Sequence, residues 1–137
     1  VHLIVDAFCS NSQLLSREQK LKEWLLEAAL VSGMHPFGKP VIVDFPFPTR
    51  EGTALSGVIF LGESSITIHT YPEFNFIYLD VFSCLDFDKE KALDFIRRSF
   101  GVTRYSSLIL NRGVDKEGKP YLVNESTRPE CCLGGFR

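Results

Sequence analysis

Hydrophobic and polar positions along this chain follow two periods, one near two residues and one near 3.6. The segment His2–Cys9 (HLIVDAFC) is rich in Leu, Ile, Val and Phe and reads as a β-strand. Ser16-Arg17-Glu18-Gln19 has the pattern of a helix capping box, in which the Ser hydroxyl takes one orphan amide and Gln19 reaches back. Leu21, Trp24, Leu25, Ala28 and Val31 then recur at helical spacing, and Gly33 supplies a stop. Val41–Phe45 is a second strand that Pro46 and Pro48 end, with a loop from Pro48 to Gly52. Leu55–Leu61, Ser65–Thr70 and Phe76–Ser83 are three more strands, joined by connections short enough to make antiparallel neighbours. Asp88 opens a second helix that turns Ala92, Phe95, Ile96 and Phe100 to a core and stops at Gly101. Tyr105–Leu110 is the last firm strand, Asp115-Lys116-Glu117-Gly118 is a turn, and no period is clear from Val123 onward.

The predicted order is β-α-β-β-β-β-α-β. Two helices cannot cover both faces of a six-stranded sheet. The expected fold is therefore α/β of the α+β kind: a two-layer sandwich, mainly antiparallel, with two helices on one face. The bare face must meet solvent or another subunit. Tyr78 and Phe82 alternate with Leu79 and Val81, so both faces of that strand carry apolar bulk. This favours a homodimer built on the sheet; the alternative is a monomer with bulky surface aromatics. No repeat, low-complexity tract or linker divides the chain, so residues 1–137 read as one domain.

Composition narrows the function. Twelve Phe residues supply core material without metal or disulfide staples. A formal net charge of −2 and no Lys/Arg block argue against nucleic acid or a membrane surface as partner. No apolar run is long enough to span a bilayer, and the N-terminal apolar stretch lacks the charged flank of a signal peptide. The first residue is Val, so the natural start is expected to lie upstream. Cys9, Cys84, Cys131 and Cys132 form no C-x-x-C pair, and adjacent cysteines bond only with strain. Free thiols in a reducing cytoplasm fit this usage. With three His and no Cys cluster, no metal site is expected.

The chemistry concentrates in Gly62-Glu63-Ser64-Ser65-Ile66-Thr67-Ile68-His69-Thr70-Tyr71-Pro72-Glu73. Gly62 offers freedom for an unusual bend. Ser65, Thr67 and His69 then point one way and Ile66 and Ile68 the other. A polar face inside an apolar sheet is the local inconsistency expected at a functional site. Tyr78, Asp80, Phe82 and Cys84 share one face of the next strand, and Ser56 begins the preceding one. A Ser, a His and a Cys from three neighbouring strands could thus converge. His2 and His35 read as structural. Asp6, inside an apolar strand, either supports the chemistry or pairs with a cation.

Glu63-Ser64 followed by Ile-His-Thr-Tyr-Pro-Glu, then Asp80-Val81-Phe82-Ser83-Cys84, closely resembles the prokaryotic S-adenosylmethionine decarboxylase proenzymes. Supporting similarity runs from His2-Leu3-Ile4-Val5-Asp6 through about Gly101, with Ser56-Gly57-Val58 fitting the strand before the cleavage site. From about Val114 nothing matches.

The resemblance implies a chain that cuts itself between Glu63 and Ser64, leaving a β chain of residues 1–63 and an α chain of residues 64–137. Ser64 Oγ attacks the Glu63 carbonyl, and elimination and hydrolysis leave a pyruvoyl group on residue 64 and release ammonia. That covalent group is the implied cofactor, forming a Schiff base with the substrate amine and acting as electron sink during decarboxylation. By the same resemblance His69 serves processing, Ser56 supports it, and Cys84 protonates the product, as a thiol with a tunable pKa can. Glu73 would bind ribose hydroxyls, while Tyr71, Phe47 and Phe45 would stack on adenine or meet the sulfonium. The implied product, decarboxylated S-adenosylmethionine, feeds spermidine and polyamine synthesis.

The sequence departs from the family at three places. Tyr71 replaces a usual Trp, Ser65 replaces a frequent His, and the 45–52 loop follows a different pattern. Arginine or ornithine therefore stays open as substrate, as does an uncleaved regulatory homologue. A Cys-His hydrolase using Cys84 and His69 lacks an obvious oxyanion loop.

Overall fold

The computed structural model describes residues 1–46 and 53–125. Phe47, the 48–52 loop, Cys131 and Cys132 lie outside the described residues. Strands β1 (His2–Cys9), β2 (Val41–Pro46), β3 (Thr53–Phe60), β4 (Ser64–Tyr71), β5 (Phe76–Ser83), β6 (Val102–Val114) and β7 (Pro120–Asn124) form one sheet. The order is β2-β3-β4-β5-β1-β6-β7, and every pairing is antiparallel. Helices α1 (Ser12–Ser16), α2 (Glu18–Val31) and α3 (Lys89–Phe100) complete the described elements, with a single 3-10 turn at Pro72–Phe74. The expected two-layer sandwich is present.

The core lies between helices and sheet. Leu3, Val5, Ile59, Ile66, Ile68, Ile77 and Leu79 from the strands meet Leu21, Trp24, Leu25, Ile96 and Phe100 from the helices. Trp24 joins the two long helices. Its ring stacks on Phe95 at 5.9 Å, meets Phe100 edge-on at 4.7 Å, and its indole N–H donates to Ser99 Oγ at 2.8 Å. Helix α2 approaches closely over Gly57, where a Cβ would lie 2.7 Å from Ile42 Cδ1 and 3.1 Å from Leu25 Cδ1. Gly101 ends α3 in the left-handed conformation, at φ 60°.

Four details differ from the sequence reading. A seventh strand, β7, pairs with β6 at the sheet edge; it is five residues long and begins with Pro, so it carries little strand signal. A third helix, α1, is too short for a periodic stripe, and Asn11 caps it by accepting from the Leu14 N–H. That helix displaces the expected capping box. Ser16 Oγ donates to the Ser12 carbonyl, Gln19 donates to Glu23, and Arg17 takes the N-cap of α2 without a side-chain bond. Val31 is only partly buried, and Ala29 joins the α2 core face instead.

The other sheet face has no helix over it. Val41, Val43, Phe60, Tyr78, Leu108 and Leu122 lie on it and are 40% to 61% exposed.

Replacing Leu25, fully buried against Gly57, with Ala should lower the unfolding free energy by about 2–5 kcal/mol. Leu26→Ala, one residue on and solvent-facing, should change it by less than about 0.5 kcal/mol. Equilibrium denaturation of both variants checks the side of α2 that faces the sheet.

Candidate active site

Strands β3 and β4 are joined through a tight turn at Gly62 and Glu63, closed by the Leu61 N–H donating to the Ser64 carbonyl at 2.9 Å. Gly62 does not take a positive φ, so the expected unusual bend is absent and the turn asks no special backbone freedom of it. The Glu63–Ser64 peptide bond leaves this turn directly into β4.

Strand register fixes what surrounds that bond. Ser64 pairs with Ser83, and the ladder continues one rung further, where the Cys84 N–H donates to the Glu63 carbonyl at 3.1 Å. The Ser64 hydroxyl donates to the same carbonyl oxygen. One carbonyl thus carries an adjacent hydroxyl and a backbone amide aimed at its oxygen. A backbone N–H so placed stabilises negative charge developing on that oxygen. The Glu63 side chain turns away to His35. Hydrogen bonds from the His35 ring, and then from its N–H, hold the Glu63 carboxyl below the usual carboxylate range.

A second cluster sits at the far end of β4. Ser56 on β3 is in register with His69 on β4, and Ser56 Oγ lies 2.8 Å from His69 Nδ1. His69 is exposed and faces Tyr78 across the β4–β5 pair. Tyr71 meets Tyr78 edge-on at 5.7 Å, and Phe76 meets Tyr78 at 5.0 Å. Glu73 is exposed in the following 3-10 turn.

The expected convergence of Ser, His and Cys is therefore divided within one chain. Ser64 gathers with Cys84, and Ser56 gathers with His69. Five residues of extended strand separate Ser64 from His69, about 16 Å. On the outer face between them, His2 lies 2.8 Å from Asp80, and Arg112 stacks over Phe82 at 4.2 Å. Asp6 is on this face too, opposite Tyr78 and Ser106. His35, expected to be structural, stands at the Glu63–Ser64 turn, and no motif signals its contact across 28 positions.

Among the described residues, no group of three or more His, Cys, Asp or Glu could hold a metal, and no helix is long and apolar enough to cross a membrane. Both described cysteines are free thiols, Cys84 exposed and Cys9 buried.

Fold and site together define a two-layer α/β sandwich whose β3–β4 turn presents a serine to the carbonyl before it. The chain belongs to the S-adenosylmethionine decarboxylase family, whose model matches residues 1–113. It is 33% identical over 135 residues to an S-adenosylmethionine decarboxylase proenzyme of Hydrogenobaculum, covering 96% of each chain. It is 31% identical over 121 residues to the proenzyme of Pyrococcus furiosus, covering 88% of this chain and 83% of that one. In fold it is similar to the crystal structure of the adenosylmethionine decarboxylase of Aquifex aeolicus, with a TM-score of 0.68 and 23% identity over 86% of this chain and 93% of that one.

The two described thiols should differ sharply in reactivity. Burial pushes the Cys9 thiol up to about 11, so near neutral pH it stays protonated as well as enclosed. Brief alkylation of the native protein, mapped by peptide mass, should modify Cys84 and leave Cys9 untouched until denaturant is added.

Proposed function

We propose that this chain is a proenzyme that cleaves itself between Glu63 and Ser64 and then decarboxylates S-adenosylmethionine, supplying decarboxylated S-adenosylmethionine for spermidine synthesis. One observation carries the reading: in a member of this family, the Ser64 hydroxyl and the Cys84 N–H meet on the Glu63 carbonyl.

In the first step, Ser64 Oγ bonds to the Glu63 carbonyl carbon and the peptide C–N bond breaks. The hydroxyl proton passes to the Ser64 nitrogen, so an amide becomes an ester. The Cys84 N–H meets the oxyanion formed on the way. Removal of the Ser64 α-proton then expels the Glu63 carboxylate, and hydrolysis of the resulting enamine releases ammonia. His69 is the base assigned to this second stage. Its Nδ1 is engaged by Ser56, which fixes the ring and leaves Nε2 for proton transfer. The products are a β chain of residues 1–63 and an α chain of residues 64–137.

The residues fit a pyruvoyl group at position 64, because a β-hydroxyl sits beside the acyl carbon it must take up. When formed, that group supplies a carbonyl that draws off the electrons of the departing carboxylate. Cys84, exposed beside residue 64, is the group assigned to protonate the product carbon. Tyr71 and Glu73 are assigned to adenine and ribose, and Phe47 to the sulfonium or base.

These roles call for a homodimer. A single chain keeps His69 about 16 Å from Ser64. Pairing two outer faces about a two-fold axis, with one β4 antiparallel to the other, would bring Ser64 towards His69 of the partner subunit. The same contact would cover the exposed Val43, Phe60 and Tyr78.

Denaturing mass spectrometry should find two fragments and a carbonyl-reactive α chain in the wild type, and one intact chain in Ser64→Ala. His69→Ala should slow cleavage by about 10²-fold. Labelled carbon dioxide should come from S-adenosylmethionine; release from arginine or ornithine instead would replace the substrate. An unbroken wild-type chain without a reactive ketone would sink the proposal.

Shared sites predict complementation as well. Co-expression of Cys84→Ala and His69→Ala chains should restore activity to about one quarter of wild type, since half the dimers then hold one intact site. No recovery would mean that each site lies within one chain.

A further inference from the structure

We propose that His35 is a positioning residue for self-cleavage: it ties down the Glu63 side chain and so holds the Glu63 carbonyl where Ser64 attacks it. This inference rests on the processing reading above and adds to it a residue outside the β3–β5 motif.

The segment after α2 is zipped along the turn that carries the scissile bond. Met34 anchors it in the core. Pro36 bridges to Leu61, and the Phe37 N–H donates to the Phe60 carbonyl at 2.8 Å. The His35 carbonyl accepts from the Gly62 N–H at 2.9 Å. The His35 N–H donates to Glu63 Oε2 at 3.2 Å, and the His35 ring nitrogen Nδ1 meets Oε1. Both carboxylate oxygens are thus engaged by one residue, while a third bond from that residue holds the turn backbone.

Burial is uneven across the contact. The Glu63 side chain is 11% exposed and the His35 side chain 82%, so the imidazole covers the carboxylate from the solvent side. The geometry has a direct consequence for the acyl shift. Attack by Ser64 Oγ develops a negative charge on the Glu63 carbonyl oxygen, three bonds from that residue's own Cβ. A carboxylate free to swing towards it would oppose that charge. Charge-assisted bonds to His35 hold the carboxylate in place and fix the peptide plane against Ser64 and the Cys84 N–H. His35 moves no proton in the step; it acts only through Glu63.

The test is a time course of the freshly synthesised chain, followed by denaturing mass spectrometry with and without hydroxylamine, which cleaves an ester but not an amide. His35→Ala should lengthen the half-time of cleavage by about tenfold, the loss of one hydrogen bond to a charged group. The waiting material should be the hydroxylamine-resistant amide. His35→Asn, which can place an amide N–H near the Nδ1 position, should cleave within about threefold of wild type. In a Ser64→Ala background, His35→Ala should leave the thermal midpoint unchanged, separating positioning from stability. Wild-type cleavage with His35→Ala equally fast, or with His35→Asn no faster than His35→Ala, would overturn the role of His35 alone. A slow His35→Ala that collects as the hydroxylamine-labile ester would overturn it too, because the first step would then be intact. A wild-type chain that never cleaves would overturn the processing reading and this inference with it.

Discussion

The rung that joins the Cys84 N–H to the Glu63 carbonyl is the constraint on which the site depends. It is an ordinary antiparallel hydrogen bond, continuous with the Ser64–Ser83 pair. What sets it apart is that its acceptor is the acyl group next to a serine hydroxyl. Its position follows from register, and register is set by burial. Ile66, Ile68 and Thr70 must face the helices while Thr67 and His69 face outward. A slip of one residue between β4 and β5 would turn the hydrophobic set to the wrong face. Core packing remote from the serine therefore determines which carbonyl receives the Cys84 amide.

The same register serves two ends of one strand. Ser56 and His69 are paired across β3 and β4 as firmly as Ser64 and Ser83 are paired across β4 and β5. A rigid strand keeps these ends apart, so no side-chain rotation joins them. Meanwhile all three helices leave the outer face bare, and its exposed apolar residues flank both clusters. In the proposed dimer, one contact would both complete the site with a second copy and cover the exposed apolar residues of the sheet.

Much of this was legible in the sequence because it rests on short-range periodicity. The alternation from Ser65 to Thr70 located the polar face, and the Asp88 cap and Gly101 stop bounded α3 at the observed residues. Neighbouring strands for Ser56 and His69 were legible too, though the register that pairs them was not. The parts that were not legible depend on long-range placement or on segments too short for a period. Helix α1 has five residues and no stripe. Strand β7 is an exposed edge opened by Pro120. The division of Ser64 from His69 needs the extended length of β4, which the alternation implies but a convergence of residue types obscures. His35 follows a helix stop, in a segment whose pairing with Gly62 and Glu63 has no local signature.

That pairing bears on what the proposed cleavage would leave behind. Breaking Glu63–Ser64 removes the covalent link between β3 and β4, and the freed ends gain entropy. Six paired positions from Leu55–Thr70 to Phe60–Ser65 still hold the strands together, with Ile59, Ile66 and Ile68 sealed beneath the helices. Glu63 would become a chain end, yet the bonds from its carboxylate to His35 and from Gly62 to the His35 carbonyl do not run through the broken bond. The proposed cut would thus fall at a point where neither new terminus is needed to close the core. The proposed self-cleavage would then change the chemistry at residue 64 without asking the fold to change with it, because the sheet is held by its ladder and its buried face and not by the Glu63–Ser64 peptide bond.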